Sequence, residues 1–266
     1  MTGTAPGRGP GPAPERRGAS WRWSLLWAFP LTLWILVSVP LTTVLILLAA
    51  PFMGGKRAFW TIGPWWSRAV FRLCGQKTAV LGWEDLPEPI RARREPVIFM
   101  SNHESNLDPP VLVSAIPIPA VFLAKKELMW MVPVGWAAKA AGTIFVDRSN
   151  RERAIASLHH AAQEIRGGKS VIIFPEGTRT RTGDLGPFKK GGFVMAEEAG
   201  VRIVPLATVG GRGMLPPGAM YIRPGRYVLA FGAPVDPRAF PGRDAVMAEV
   251  RERIAALREL AGRRED

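Results

Sequence analysis

Cysteine is almost absent from this chain of 266 residues, since Cys74 is the only one, and an internal disulfide is therefore excluded. A chain without disulfides is typical of a reducing compartment and argues for the cytosolic side of a membrane. Histidine is also scarce, with three residues. The pair His103-Glu104 resembles the start of a zinc-protease motif, but Leu107 stands where the second histidine ligand is required. The sequence therefore supports no metal site.

Charged residues are missing from residues 24–55. As one straight helix this run would be roughly 48 Å long at 1.5 Å per residue, longer than the ~30 Å hydrocarbon core of a bilayer. It is also too long and too aromatic for a cleaved signal peptide, whose apolar core has about 7–15 residues. Pro30, Pro40 and Pro51 interrupt it, and each can kink or end a helix. We therefore predict a membrane anchor, either a single transmembrane helix or a re-entrant hairpin broken near Pro40.

Acidic residues are outnumbered by basic ones, and the formal net charge is +13. This charge favours an anionic partner: nucleic acid, an acidic lipid surface, or phosphate and CoA-like groups. Ten tryptophans and the apolar run favour the lipid surface over nucleic acid. Because cations flank the apolar run on both sides, the positive-inside rule gives no clear orientation. That pattern suits a hairpin with both ends on the cytosolic face. We expect the protein in the cytoplasmic membrane, with its active site on the cytosolic face.

Composition divides the chain into three parts. Residues 1–20 are rich in Gly, Pro and Arg without periodicity, so we predict a disordered basic tail. Residues 21–75 form a membrane-anchoring helical region, and its aromatic end, 57–75, predicts an interfacial helix whose Arg68 and Arg72 face anionic lipid. The alternative is that these aromatic side chains pack in the core. The remaining residues, 76–266, form one α/β domain.

Apolar runs alternate with longer helical patterns in this last part, after a linker at 84–95. The alternation predicts a mostly parallel central sheet flanked by helices on its faces. The predicted strands are residues 78–81, 96–100, 120–125, 142–146, 170–174, 202–209 and 227–231. The predicted helices are residues 110–116, 127–141, 151–166, 188–199 and 244–262, the last with Val246, Val250, Ile254, Leu257 and Leu260 on its core face.

The polar turn at 101–109 follows a buried strand and carries His103 and Asp108. Asp108 precedes two prolines, so it is biased away from the helical region and lies just before a helix. On a turn, five positions can bring two side chains into contact, whereas an ideal helix would leave them roughly 140° apart. A histidine held by a carboxylate is a general base, and it needs no Ser or Cys nucleophile if the substrate supplies a hydroxyl. A pair that only braces the turn is the alternative.

A second polar turn, 174–181, follows a later predicted strand. Gly177 permits a tight turn, Thr178 can donate to an oxyanion, and Arg179 with a second arginine two residues on supplies donors for phosphate. Glu176 either accepts a hydrogen bond from the substrate or orients this loop. Sequence alone does not choose between these two roles.

A third segment, 142–148, is a strand that ends in Asp-Arg. In parallel sheets, ligands gather at the carboxyl ends of the strands. If the three strands run the same way, His103, Arg148 and Glu176 share one edge, and Lys189 adds positive charge near a helix start. The sequence thus predicts a pocket with a base, a phosphate clamp and a second carboxylate.

Four short segments are more specific together than apart. They are residues 102–108, 142–148, 174–181 and 203–206. The first reads N-H-x-S-x-x-D, and the third reads F-P-E-G-T-R followed by Thr180, where serine is usual. In this order, across residues 97–210, they resemble the four motifs of the lysophospholipid (1-acylglycerol-3-phosphate) acyltransferase family.

The resemblance implies acyl transfer at a membrane surface, from acyl-CoA or acyl carrier protein to the sn-2 hydroxyl of lysophosphatidate, giving phosphatidate. It implies no cofactor beyond the thioester cosubstrate, a glycerolipid acyltransferase-like fold for 76–266, His103 as the base and Asp108 as its partner. The expected substrate-binding residues are Arg148, Glu176, Gly177, Thr178 and Arg179, with support from Asn102, Ser105, Lys125 and Lys189.

Two other functions remain open at this point. The motifs read a hydroxyl and a phosphate-like anion, so the acceptor can be another lysophospholipid or a lyso-aminolipid. Charge alone would also allow a membrane-tethered protein that only binds anionic lipid or nucleic acid. Such a protein has no use for a His-Asp pair beside an arginine-rich turn, so we expect no nucleic-acid partner.

Overall fold

The computed structural model describes residues 21–180, 182–219 and 222–264, with residues 21–31 described by their backbone only. The predicted tail, 1–20, lies outside them. The helices are α1 (Trp21–Met53), α2 (Gly55–Leu73), α3 (Glu88–Arg91), α4 (Asp108–Ala115), α5 (Val134–Ala141), α6 (Arg151–Arg166), α7 (Gly191–Ala199), α8 (Gly211–Met214) and α9 (Arg243–Gly262). The strands are β1 (Gln76–Leu81), β2 (Ile98–Ser101), β3 (Ala120–Lys125), β4 (Ile144–Val146), β5 (Ser170–Ile173), β6 (Ile203–Val209) and β7 (Gly225–Phe231).

The seven strands form one sheet in the order β1-β7-β6-β2-β5-β3-β4. Neighbouring strands are parallel except β6 and β7, which are antiparallel. Five strands, β2 to β6, therefore run in one direction, and β1 and β7 run in the other. The predicted mostly parallel sheet flanked by helices is confirmed. The carboxyl ends of β2, β4 and β5 meet at one edge, as the sequence predicts.

Helices cover both faces of the sheet because the central strands are apolar on both sides. In β2, Phe99 shares a core cluster with Phe71 of α2 and Leu112 of α4. The next residue along the strand, Met100, points the other way and shares a second cluster with Ile254 of α9. The result is a three-layer domain whose polar turns emerge between the two helical layers.

Helix α1 runs unbroken through Pro40 and Pro51, so of the two alternatives that the sequence left open, the hairpin broken near Pro40 is wrong and a continuous helix is found. Pro40 removes one helical hydrogen bond, and the remaining backbone hydrogen bonds keep the segment helical. The chain turns at Gly54 instead, and α2 returns along α1, where Trp66 Nε1 donates to Ser38 Oγ at 3.1 Å. Among the described helices, α1 alone is long and apolar enough to cross a membrane, over Thr32–Met53 with mean hydropathy 2.4.

Helix α2 is packed on one side and exposed on the other. One face packs on the domain: Ser67 Oγ donates to the carbonyl of Pro110 at 2.6 Å, and Arg68 Nε donates to the carbonyl of Ser114 at 3.1 Å. The opposite face leaves Trp65 exposed. Helix α2 is therefore fixed directly to α4, the helix that begins at Asp108.

Two helix predictions are wrong in detail. The predicted helix 127–141 is broken, because Pro133 cannot donate a helical hydrogen bond and restricts the residue before it. A 3₁₀ turn at Lys126–Trp130 precedes α5 instead. In α9, Ala261 is buried in place of Leu260, which is exposed, because a period of 3.6 residues returns to position 261.

Candidate active site

Three polar turns lie at the carboxyl edge of the sheet. The first follows β2 and carries His103, the second follows β5 and carries Glu176, and the third follows β4 and carries Arg148. Since β5 lies between β2 and β3, the second turn is central: it is hydrogen-bonded to the first turn and lines a pocket together with Arg148 of the third. This arrangement explains why the site needs residues from separate motifs.

His103 and Asp108 form a hydrogen-bonded pair. His103 Nδ1 lies 2.6 Å from Asp108 Oδ2, and the histidine side chain is 16% exposed whereas the aspartate is fully buried. Because Nδ1 faces the carboxylate, Nε2 is the nitrogen that can take a proton from a substrate. The ring of His103 stacks on Phe174, with centroids 4.0 Å apart. The five-residue spacing on the turn therefore produces the contact that the sequence suggested.

Asp108 is held by donors on both oxygens. Oδ2 accepts from the backbone N–H groups of Glu104 at 2.7 Å and Ser105 at 3.0 Å. Oδ1 accepts from the hydroxyl of Tyr227, a buried residue of β7. Burial and the negative charge of Asp108 raise the pKa of Tyr227 well above its usual range, so the phenol keeps its proton and remains a donor. This network stabilises the ionised carboxylate that orients His103.

Close backbone approach makes room for this network. Gly211, at the start of α8, has no side chain, and an added Cβ would lie 3.0 Å from Asp108 Oδ1 and 2.9 Å from the Tyr227 ring. Asp108 itself begins α4, where Pro109 and Pro110 are tolerated because first-turn N–H groups have no helical partner.

Glu176 clasps two loops together and is buried. Its Oε1 accepts from the backbone N–H of His103 at 3.0 Å, and its Oε2 accepts from that of Gly186 at 2.8 Å. The backbone N–H of Thr180 donates in turn to the carbonyl of His103 at 2.9 Å. Of the two roles that the sequence left open for Glu176, these contacts support orientation of the loop.

Asn102 and Ser105 support the turn from behind. Asn102 is buried and pairs with Thr208 at the end of β6: its Nδ2 donates to the Thr208 carbonyl at 2.8 Å, and its Oδ1 accepts from the Thr208 N–H at 2.8 Å. Ser105 Oγ accepts from the N–H of Leu107 at 3.3 Å. These contacts extend the order of the sheet into the turn that carries His103.

A pocket of about 190 Å³ lies beside the histidine. Arg148, Gly177, Lys189 and Phe174 line it together with apolar side chains of β4, β5 and α6. Gly177 has φ 72°, and an added Cβ would lie 2.8 Å from Lys189 Nζ, so glycine is required both for the turn and for this lysine. The pocket combines two cations with an apolar wall, and Phe174 joins it to His103.

The other predicted binding residues lie further out. Thr178 and Arg179 are exposed on the loop after β5, and Lys125 is exposed at the end of β3. Arg181 lies outside the described residues. None of these exposed residues lines the pocket beside His103.

A larger cleft of about 600 Å³ lies at the opposite, amino edge of the sheet. Its arginines already have partners: Arg202 pairs with Glu95 at 2.6 Å, and Arg238 pairs with Asp236 at 2.7 Å. The Arg238 guanidinium lowers the pKa of Asp236 to about 2. This cleft therefore has less free positive charge than the smaller pocket, and it lies at the opposite edge of the sheet from His103. Among the described residues, no group of three or more His, Cys, Asp or Glu side chains forms a metal site.

Sequence reasoning missed three residues of this region. Tyr227 stood in a predicted strand 119 residues from Asp108, and nothing local marks its hydroxyl as a partner of that carboxylate. Thr208 likewise stood in a predicted strand, and nothing local marks it as the hydrogen-bond partner of Asn102. Arg258 reaches from α9 to Glu104 Oε1 at 3.3 Å, although Glu104 occupies a variable motif position. Only the fold brings these residues to the turn.

Comparison with known proteins relates the site region to a protein family. The family model described as "Acyltransferase" matches residues 78–209, which contain all three turns. Residues 78–209 therefore belong to this acyltransferase family. Its match includes His103, Asp108 and the loop of Glu176, so the family region and the site geometry coincide.

Several relatives of this chain are named 1-acyl-sn-glycerol-3-phosphate acyltransferase. The human alpha enzyme is 40% identical over 113 residues, which are 42% of this chain and 40% of the relative. The Chlamydomonas reinhardtii protein is 29% identical over 211 residues, 78% of this chain and 59% of the relative. The Brassica napus chloroplastic protein is 34% identical over 143 residues, 54% of this chain and 40% of the relative. The chain thus spans about half the length of these curated relatives.

The fold has a close counterpart among solved structures. The crystal structure of the 1-acyl-sn-glycerophosphate acyltransferase PlsC from Thermotoga maritima superimposes with a TM-score of 0.74, covering 88% of this chain and 93% of that one. Sequence identity is 24%, so this likeness concerns the fold. It extends well beyond the family region and therefore includes elements outside residues 78–209.

Proposed function

We propose that this protein is a 1-acyl-sn-glycerol-3-phosphate O-acyltransferase, which transfers an acyl chain from acyl-CoA or acyl carrier protein to the sn-2 hydroxyl of lysophosphatidate. The observation that carries the proposal is the 2.6 Å contact between His103 and Asp108 beside a cationic pocket. The names of the relatives support the same substrate. The proposed product is phosphatidate and a free thiol.

In the proposed reaction, His103 Nε2 removes the proton of the acceptor hydroxyl as the oxygen attacks the thioester carbonyl. The attack gives a tetrahedral oxyanion, which collapses and expels the thiolate. His103 then returns its proton to the leaving sulfur. Asp108 stays ionised throughout and stabilises the imidazolium, because its oxygens are held by two backbone N–H groups and by Tyr227.

The cationic pocket is the proposed site for the glycerol phosphate. Arg148 presents a planar guanidinium suited to bidentate phosphate binding, and Lys189 adds a point charge. Thr178 and Arg179 on the exposed loop are proposed to close over the bound anion. Glu176 acts through this loop by holding it against the histidine turn, which makes it a positioning residue.

The proposed setting is the cytosolic face of the cytoplasmic membrane. Helix α1 supplies an apolar surface, and α2 connects it to the helix that begins at Asp108. We propose that residues 21–75 anchor the chain and that 76–266 form the acyltransferase domain behind the basic tail 1–20. A lysolipid held in the bilayer can then present its hydroxyl to His103 without leaving the membrane.

His103→Ala tests the chemistry. Loss of the general base should lower kcat by about 10²–10⁴-fold in a purified assay with lysophosphatidate and acyl-CoA, while folding and membrane binding remain. His159→Ala is the matched control, because His159 pairs with Glu198 on an exposed helix face at 2.7 Å, away from the sheet edge. Undiminished turnover by the His103 variant would refute the assignment.

Acceptor choice needs a separate experiment. The proposed site recognises an anion beside a hydroxyl, and other lysophospholipids carry the same two groups. The purified protein should be offered a panel of lysolipids with both acyl-CoA and acyl carrier protein donors. Preference for lysophosphatidate by kcat/KM supports the proposal, whereas preference for another head group would move the function to a different lysophospholipid acyltransferase.

A further inference from the structure

Residues 130–136 expose a patch of large apolar side chains outside the anchoring helices. The patch follows β3 and includes the first residues of α5. Trp130 is 80% exposed, and the other exposed members are Met131, Val132, Val134 and Trp136. Contiguous apolar surface of this kind marks a site of protein or membrane contact, whereas scattered single side chains do not.

The patch adjoins the apolar surface of α1. Helix α5 contacts both α1 and α2. At the far end of α5, Ala140 packs against Gly55, and Trp60 Nε1 donates to the carbonyl of Ala141 at 3.3 Å. Helix α1 leaves Leu36 and Phe52 exposed. The exposed start of α5 therefore continues the surface that the anchor offers to lipid.

The patch also lies at the catalytic edge of the sheet. It follows the carboxyl end of β3, and Lys126 Nζ, just before it, lies 2.7 Å from Asp147 Oδ2. That ion pair lowers the pKa of Asp147 and ties the turn to the residue next to Arg148. Lys125 and Lys139, on either side of the patch, are exposed. An apolar tip flanked by cations matches the boundary between acyl chains and anionic headgroups.

We propose that residues 130–136 insert into the acyl–headgroup boundary as a second membrane contact, one that belongs to the catalytic domain. Insertion sets the pocket of Arg148 and Lys189 at the depth of a lysolipid phosphate. The proposal rests on the proposed function, since it requires an acceptor that stays in the bilayer. A second copy of this chain is the competing occupant of the patch.

A single fluorescent label tests the depth of insertion. Cys74 is 2% exposed, and burial raises the pKa of its thiol to about 11, so it reacts poorly and a new cysteine can be labelled selectively. Val132→Cys carries an environment-sensitive fluorophore in the patch. Glu259→Cys carries it on α9, which packs on β6 and β7 at the other end of the sheet.

The full chain is mixed with phosphatidylglycerol–phosphatidylcholine vesicles, and binding is checked by sedimentation. The proposal predicts a blue shift and a gain of emission at Val132→Cys, quenched by a nitroxide placed near the lipid headgroup, with no change at Glu259→Cys. Vesicle-bound protein whose Val132 label stays water-exposed overturns it. A shift that needs no vesicles and grows with protein concentration assigns the patch to a second copy and also overturns it.

Activity separates this inference from the proposed function. Trp130→Ser with Val132→Ser should reduce turnover of vesicle-borne lysophosphatidate while turnover in detergent micelles stays at the unaltered level. Equal turnover in both settings contradicts the second contact and leaves the acyltransferase intact. A protein inactive in micelles and vesicles alike, before any substitution, refutes the proposed function itself. A chain that does not sediment with vesicles refutes the inference and the membrane setting together.

Discussion

At the scale of single residues, Asp108 is the most constrained side chain of the site. It is buried, and His103, two backbone N–H groups and Tyr227 share its two oxygens. A buried carboxylate is tolerated only with such a set of donors, and removal of one donor leaves part of the charge unsatisfied. The conformation of the turn therefore depends on the hydrogen bonds of Asp108 as much as on His103.

Tyr227→Phe removes one donor and keeps the aromatic packing. We expect stability to fall by about 1–3 kcal/mol, because Asp108 loses a hydrogen bond in a buried position. kcat should fall with little change in the KM for either substrate, since Tyr227 acts on the orientation of His103. Thermal unfolding and steady-state kinetics check both effects. A raised acceptor KM with unchanged kcat would show instead that Tyr227 serves substrate binding.

Cys74 makes stability depend on alkaline pH. Burial raises the pKa of its thiol to about 11, above the value of about 9 for an unfolded thiol. The folded chain thus binds this proton more tightly than the unfolded chain does. The resulting contribution to the free energy of unfolding is full below pH 9 and is lost as the pH rises through 11. The loss should approach roughly 3 kcal/mol, from two pKa units. The melting temperature should therefore fall between pH 9 and 11, and it should fall less in Cys74→Ala. Parallel curves of melting temperature against pH for the two proteins would contradict this prediction.

At the scale of elements, α9 holds the loop that Glu176 also clasps. Arg251 Nη2 donates to the carbonyl of Leu185 at 2.8 Å, and Arg258 donates to the carbonyl of Gly183 and lies 3.3 Å from Glu104 Oε1. The two arginines are seven residues apart, so they share one face of the helix. A helix that contributes no residue to the proposed chemistry thus fixes the loop after β5.

Arg258→Met keeps the length of the side chain but removes its donors. We expect the KM for the lysolipid to rise several-fold and the thioester KM to change less, because the loop loses a bond to α9 and presents Thr178 and Arg179 less firmly. Arg263→Met, on the exposed end of the same helix, is the control for charge alone. An equal rise in the lysolipid KM in both variants would show that the positive charge of the arginines matters and that the hydrogen bonds of Arg258 do not.

At the scale of the whole molecule, two forces can hold the chain at a membrane. The net charge of +13 attracts anionic lipid, and salt screens this attraction within a Debye length of roughly 3 Å at 1 M. The apolar surface of α1 is indifferent to salt. The relative weight of the two forces decides whether the protein is peripheral or embedded.

Membrane extraction distinguishes these forces. We predict that the full chain stays with the membrane fraction in 1 M salt and at alkaline pH and leaves it only in detergent, because α1 buries its apolar side chains in lipid. The fraction released is measured by immunoblotting after sedimentation. Release by salt alone would mean that charge, and not α1, holds the protein at the membrane.

The sequence by itself determined what depends on neighbouring residues. Periodicity predicts most strands of the sheet and their common direction, and the spacing from His103 to Asp108 on a proline-bounded turn predicts their contact. The uncharged run predicts α1, because burial of apolar surface in lipid depends on composition and length. It left open whether α1 continues past Pro40, and it did not predict that Pro133 divides the helix at 127–141.

Only the tertiary structure decided the contacts between distant parts of the chain. Tyr227 reaches Asp108 because β7 crosses behind the turn, and Arg258 reaches Glu104 because α9 lies over β6. Both side-chain oxygens of Glu176 accept hydrogen bonds from backbone N–H groups. These bonds favour a role in orienting the loop, where the sequence had allowed either that role or a hydrogen bond to the substrate. Such contacts arise from packing the sheet between its helices, and no local pattern encodes which hydroxyl or guanidinium will meet a buried carboxylate.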